Sequence, residues 1–126
     1  MEAQKKADVV TAQIETLGNV DSLADTPFSS LFHEARTSTP DTMRSNGYTG
    51  VSVQARVNDD GEIETSDVVK TRQGESLRGT DSWDFTLSLQ VRPFMALDVA
   101  RDELIWQLRK MSQTYSSRAH RNQQIA

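Results

Sequence analysis

The chain has 126 residues, a formal net charge of −4, 36% hydrophobic residues and a mean hydropathy of −0.59. That length fits one domain with a modest core, and so lean an apolar content favours burial against another subunit. The absence of cysteine excludes a disulfide framework, a thiolate metal site and a thiol nucleophile, and the acidic balance argues against a general nucleic-acid coating protein.

Charge is spread unevenly. Residues 1–49 carry four Lys/Arg against seven Asp/Glu, residues 50–100 five against nine, and residues 101–126 five against two. A local basic face therefore stays open even though the bulk charge is negative. No run approaches the ~18 apolar residues of a membrane helix, and the N-terminus shows no signal-peptide core. A soluble chain with no membrane partner is the expectation.

In chain order, the first stretch supports two readings. Ala3, Ala7, Val10, Ile14 and Leu17 fit a helical stripe, while Val10, Ala12 and Ile14 equally fit a short strand ending at Gly18-Asn19. Asp25-Thr26-Pro27 signals a turn, and Phe28, Leu31 and Phe32 then form a second short strand or one helical turn. Residues 36–49, polar and carrying Pro40 and Asn46-Gly47, read as an exposed loop. Residues 1–35 thus stay open between helix and strand, and no hairpin follows from their spacing alone.

Residues 50–92 read as sheet. Val51, Val53, Ala55 and Val57 alternate with Ser52, Gln54 and Arg56, and Asn58-Asp59-Asp60-Gly61 supplies turn chemistry. The return strand runs through Ile63, Thr65, Val68, Val69 and Thr71, with alternation that blurs around Asp67–Val69, where a bulge fits. Residues 73–82 lack periodicity and form a connection. Trp83, Phe85, Leu87, Leu89 and Val91 then alternate with Thr86, Ser88 and Gln90, followed by Arg92, and Pro93 ends the strand. Three strands with short links predict an antiparallel meander.

At Pro93 the period changes. Leu97, Ala100, Leu104, Leu108, Met111 and Tyr115 recur every three or four residues, an amphipathic helix over 95–116. Ile105 and Trp106 lie off that stripe and widen it; both fit the core of the same subunit, but one three-stranded sheet does not readily cover so wide a helix, so a partner subunit is at least as good a reading. The assembly surface is therefore read as Leu97, Ala100, Leu104, Ile105, Trp106, Leu108 and Met111. Residues 117–126 read as a polar tail without a helical stripe. The whole is one α+β domain.

Catalytic chemistry is sparse in this pattern. His33 and His120 stand alone, Glu62 and Glu64 read as solvated charges beside a turn, and Asp59-Asp60-Gly61-Glu62 lacks the rest of a calcium loop. No phosphate-cradling glycine loop occurs. The expectation is a protein that is not an enzyme and takes no cofactor or metal. The polar sheet face is more informative. Ser52, Gln54 and Arg56, then Ser66, Lys70 and Arg72, then Thr86, Ser88, Gln90 and Arg92 combine hydroxyls and amides with interspersed cations, a set suited to phosphate, sugar and base-edge contacts. The same residues, with Glu64 and Asp84 on their side, also make an ordinary solvated face.

Three stretches carry a resemblance to a known family. Gln13-Ile14-Glu15-Thr16-Leu17-Gly18-Asn19-Val20 looks like an opening strand and turn; Val51–Arg72 is similar to a pair of central strands; Trp83 through Val91, Pro93 and then Arg101–Leu108 matches a strand-to-helix junction. Together they resemble the coat proteins of the single-stranded RNA bacteriophages. The resemblance implies an N-terminal hairpin, a multistranded antiparallel sheet and one or two C-terminal helices packing on a partner subunit. It further implies a homodimer with one continuous sheet, and an icosahedral capsid (a virus-like particle when expressed alone) assembled in the host cytoplasm. The polar face would bind a hairpin of single-stranded genomic RNA inside the virion, and residues 73–82 would gather around symmetry axes. The alternative from the same elements is a non-viral dimeric binding or assembly module without RNA.

Overall fold

The computed structural model describes residues 3–72 and 83–125. The chain opens with a helix, α1 (Ala3–Leu17), and not with the strand of a hairpin. Ala7, Val10 and Leu17 are fully buried along one side of it, with Val9 and Ile14 packed beside them. The two apolar periods available in this stretch are resolved by that five-residue stripe, which a strand cannot present on one face. Gly18 and Asn19 stop the helix, and the Asn19 carboxamide accepts from the Asp21 N–H at 3.0 Å to start a short 3-10 segment, Val20–Asp25.

Two further helices stand where the sequence allowed a short strand or one helical turn and then predicted a loop. Helix α2 (Ser29–Thr37) buries Leu31, Phe32 and Ala35. Helix α3 (Pro40–Asn46) begins at Thr39, whose hydroxyl accepts from the Thr42 N–H at 3.1 Å, and places Pro40 in the first turn. It ends at Gly47, held at φ 66° with its N–H on the Met43 carbonyl at 2.8 Å. The Pro and Gly that read as loop punctuation are the start and stop of a seven-residue helix.

The sheet is antiparallel and four-stranded: β1 (Gly50–Val57), β2 (Ile63–Thr65), β3 (Val69–Thr71) and β4 (Phe85–Gln90). Its order is not that of a meander. β1 is central, with β2 and β3 together along one side and β4 along the other. β2 and β3 are the two halves of the return strand, and the interruption between them is the bulge expected near Asp67–Val69. Ala55 faces Thr65 and Ser52 faces Val69, so three steps along β1 oppose four along its partner. β1 takes the centre because it is the strand that best tolerates enclosure on both sides. Even its polar Ser52 and Gln54 are buried.

Helix α4 (Leu97–Ile125) follows β4 and runs on through the stretch expected to be a polar tail. At 29 residues it is roughly 44 Å long. Ala100, Leu104, Leu108, Met111, Tyr115 and Ala119 are buried along its length. α1 lies antiparallel to it, with Thr11 meeting Ser112 at 3.1 Å and Lys6 beside the Tyr115 ring. The core is one cluster formed by α1, α2, the inner face of β1 and β4, and α4. This accounts for the wide helical stripe without a second chain. Of the residues read as an assembly surface, Ala100, Leu104, Leu108 and Met111 are buried within the chain, Leu97 and Ile105 pack against the core, and Trp106 stands 59% exposed. The partner for the stripe is α1, a helix that the ambiguous first stretch did not reveal.

No helix among the described residues is long and apolar enough to cross a membrane.

Candidate nucleic-acid interface

Antiparallel partners point to the same side of a sheet, so the registers assign each residue to a face. Val51, Val53, Ala55 and Val57 face the helices, with Leu89, Leu87 and Phe85 opposite the first three. Ser52, Gln54 and Arg56 face the other way, opposite Ser88, Thr86 and Glu64. Thr86, Ser88 and Gln90 are exposed on that outer face, and Ser52 and Gln54 lie buried between the flanking strands. The Ser52 and Ser88 hydroxyls share a hydrogen bond of 2.8 Å across the pair. The Gln54 side-chain nitrogen has no hydrogen-bond partner among the described residues.

The bulge changes the membership of this face. Lys70 pairs with Val51, and therefore lies on the helix side of the sheet, with its ammonium 5.2 Å from the Tyr48 ring. Val69 takes its place on the outer face, 39% exposed. One inserted residue inverts every side chain beyond it, which is why simple alternation misplaces Lys70. Arg72 lies past the end of β3 and is exposed. Ser66 is used by the bulge itself. Its hydroxyl accepts the Gln54 N–H at 2.8 Å, a ladder bond that the distorted strand does not supply, and donates to the Asp67 carbonyl at 3.1 Å.

The remaining cations are paired. The Arg56 guanidinium binds the Glu64 carboxylate through two nitrogens, each at 2.9 Å. Asn58 donates to the other Glu64 oxygen at 3.2 Å. These two bonds, Asn58 first and Arg56 second, hold the Glu64 carboxyl below the ordinary glutamate range. Arg92, past β4, is 3.6 Å from Glu103 on α4. Alternation placed Trp83 on the apolar side of its strand and Asp84 on the polar side. Both precede β4 and escape its register. The Trp83 ring lies 5.0 Å from the Arg56 guanidinium, at the rim of the outer face. Asp84 accepts from the Tyr115 hydroxyl at 2.7 Å on the helix side. Burial and that bond push the Tyr115 phenol well above its usual value.

One contact was not legible in the sequence. β4 is an edge strand, and the backbone N–H and C=O of Ser88 point away from β1. The Gln107 side chain on α4 takes both: its oxygen accepts the Ser88 N–H at 2.8 Å and its nitrogen donates to the Ser88 carbonyl. A side-chain amide here imitates a neighbouring strand and blunts the edge. Gln107 sits between stripe positions of an amphipathic helix, and nothing in local spacing marks it as an edge cap.

At one end of the sheet Lys6, Arg56, Asn58, Asp59, Asp60, Glu64 and Asp84 line an open cleft of mixed charge. Among the described residues no group of three or more His, Cys, Asp or Glu side chains is placed to hold a metal ion. Comparison with known proteins gives no matching family model, no matching curated protein and no matching solved structure.

Proposed function

We propose that the chain is a structural coat-type subunit, similar to those of the RNA bacteriophages, that assembles with its own copies and turns the outer sheet face toward single-stranded RNA. The observation that supports this reading is the contrast between the two faces. One buries Val51, Val53, Ala55, Val57, Leu87 and Leu89 against the helices; the other carries Thr86, Ser88 and Gln90 around buried Ser52 and Gln54, with the Arg56–Trp83 stack at its rim. Hydroxyls and amides meet phosphates, sugars and base edges, and an arginine stacked on an indole is a platform for an unpaired base. The accessible RNA set under this reading is Arg56, Thr86, Ser88 and Gln90 with Trp83 added; Ser52 and Gln54 lie buried among them, and Lys70 leaves the set. Joining two sheets through β4 requires the Gln107 amide to release Ser88.

Electron microscopy and sizing of the expressed protein test the reading, with closed particles containing nuclease-protected RNA as the expected result. A chain that stays monomeric at all concentrations sinks it.

One observation favours the second reading, a non-viral assembly or binding module without RNA. Arg56 and Arg92 on or near the face are each paired with a glutamate, so the face offers little unpaired positive charge to phosphates. A stable small oligomer with clean protein absorbance and no RNA affinity is what that reading expects.

A further inference from the structure

The face of α4 turned away from the core is not uniformly polar. Val99 and Trp106, seven residues apart, are 41% and 59% exposed opposite the buried Leu104–Leu108 stripe. One turn on, Arg109 and Lys110 are exposed, and the Lys110 ammonium lies 3.7 Å from the Trp106 ring. From residue 104 to residue 126 the sequence holds four Lys/Arg and no Asp or Glu, in a chain whose net charge is −4. Arg118 is taken up by the Phe85 and Tyr115 rings. Arg109 and Lys110 have no carboxylate partner among the described residues.

The complementary feature lies on the same chain. The β1–β2 turn presents Asp59, Asp60 and Glu62, and these side chains have no cation partner among the described residues. The turn is held in one shape. The Asn58 side-chain oxygen accepts the N–H of Asp60 and of Glu62 at 3.0 Å, and Gly61 takes φ 81°. Three carboxylates in four residues are therefore pre-positioned at the tip of the sheet, at little ordering cost on binding. Within one chain they form no ion pair with Arg109 or Lys110, which are exposed on the side of α4 away from the core.

We propose that the outer face of α4, with Trp106 flanked by Arg109 and Lys110, docks onto the acidic β1–β2 turn of a second copy of the chain. This rests on the reading of the protein as a self-assembling subunit and names one contact that builds the assembly. Trp106 supplies the desolvated centre and the charges supply register and encounter rate. Each copy carries one donor face and one acceptor turn, so the contact is heterologous, and repetition generates a ring or shell beyond the dimer.

Charge reversal on the full, nuclease-treated protein tests it by sedimentation velocity, with circular dichroism confirming the fold. Arg109→Glu with Lys110→Glu, and separately Asp59→Lys with Asp60→Lys, are each expected to weaken association beyond the dimer on the order of a hundredfold. The chain carrying all four reversals is expected to recover most of the wild-type association, because the pairing is restored with signs exchanged. Raising salt should weaken wild type and the four-fold variant alike. If wild type assembles and neither pair of reversals changes it, the docking contact is wrong and the assembly reading stands. If the α4 reversals matter only while RNA is present and the turn reversals never do, the face serves a polyanion and the proposal is overturned. If wild type never associates, the assembly reading falls and the contact with it.

Discussion

At the residue scale, Arg56 and Lys70 separate cleanly. Both lie on adjacent strands, yet Arg56 projects from the outer face beside Trp83 and Lys70 from the opposite one over Tyr48. Under the RNA reading, Arg56→Ala should weaken RNA binding by about tenfold or more and flatten its salt dependence, whereas Lys70→Ala should leave both near wild type. Filter binding over a salt series distinguishes the two, and equal effects would mean that the outer face is not the contact. Stability should barely register the loss of Arg56, since exposed ion pairs contribute only about 0–1 kcal/mol. Tyr115 makes a different kind of prediction. Its phenol is buried against Phe85 and donates to Asp84, so its folded pKa lies above the unfolded value. The protonated form is the one the fold stabilises. That contribution is complete below about pH 10 and is lost as pH rises toward the higher folded value. Chemical denaturation of wild type should therefore show stability declining above about pH 10, and Tyr115→Phe should remove that part of the decline.

At the scale of elements, α4 and the strand it guards decide the most. Leu104 is fully buried between α4 and the rest of the core. Leu104→Ala should cost about 2–5 kcal/mol, and Leu104→Asp should unfold the chain outright, because a carboxylate there has no partner or water. The lesion is therefore intramolecular, and circular dichroism should report loss of structure before any change in assembly is scored. Gln107 acts on the edge of β4. Gln107→Ala frees the Ser88 N–H and C=O, at a cost of about 1 kcal/mol to the monomer, and opens the edge to another strand. Under the sheet-joining reading, sedimentation equilibrium should show tighter self-association of this variant. Unchanged association would place the subunit contact elsewhere. Gly50 shows how tightly the sheet closes on β1. A Cβ there would sit 2.9 Å from the Leu89 carbonyl oxygen and 3.1 Å from the Thr71 hydroxyl, so Gly50→Ala should destabilise by roughly 1–3 kcal/mol.

At the scale of the whole molecule, the lean composition has two outlets. The fold uses part of its apolar stripe internally, packing α1 on α4, and leaves Phe94, Val99 and Trp106 at the surface. Phe94 is 77% exposed and held at φ 56° in the turn after Pro93, a conformation that costs a bulky residue free energy and that its backbone N–H stabilises by donating to the Ser38 carbonyl at 3.3 Å. Charge is also segregated, with an acidic turn at one end of the sheet and a basic, acid-free stretch along α4. A chain arranged in this way has complementary surfaces to offer its own copies, and particle formation should fall steeply with ionic strength if those surfaces carry it.

Local periodicity sufficed for β1, for β4 and for the first part of α4, because each presents an unbroken alternation or a clean three-to-four spacing. It also located the bulge near Asp67–Val69. Residues 1–49 were not legible in the same way. α1 carries an apolar set that satisfies both periods over Val10–Ile14, and α3 is announced by a proline and a glycine that serve loops and helix ends alike. The site divided along the same line. Ser52, Gln54, Arg56, Thr86, Ser88 and Gln90 were placed correctly on one face by alternation. Lys70 was not, because one inserted residue inverts parity, and Trp83 and Asp84 were not, because register ends before them. The loop at 73–82, expected to gather at symmetry axes, lies outside the described residues. By itself the sequence determined which sides of β1, β4 and the first part of α4 are apolar, since that follows from unbroken spacing alone. Only the tertiary structure decided what each apolar side packs against, that β1 and not the return strand is central, and that Gln107 closes the β4 edge. Those are contacts between residues far apart in the chain, and no local pattern encodes them.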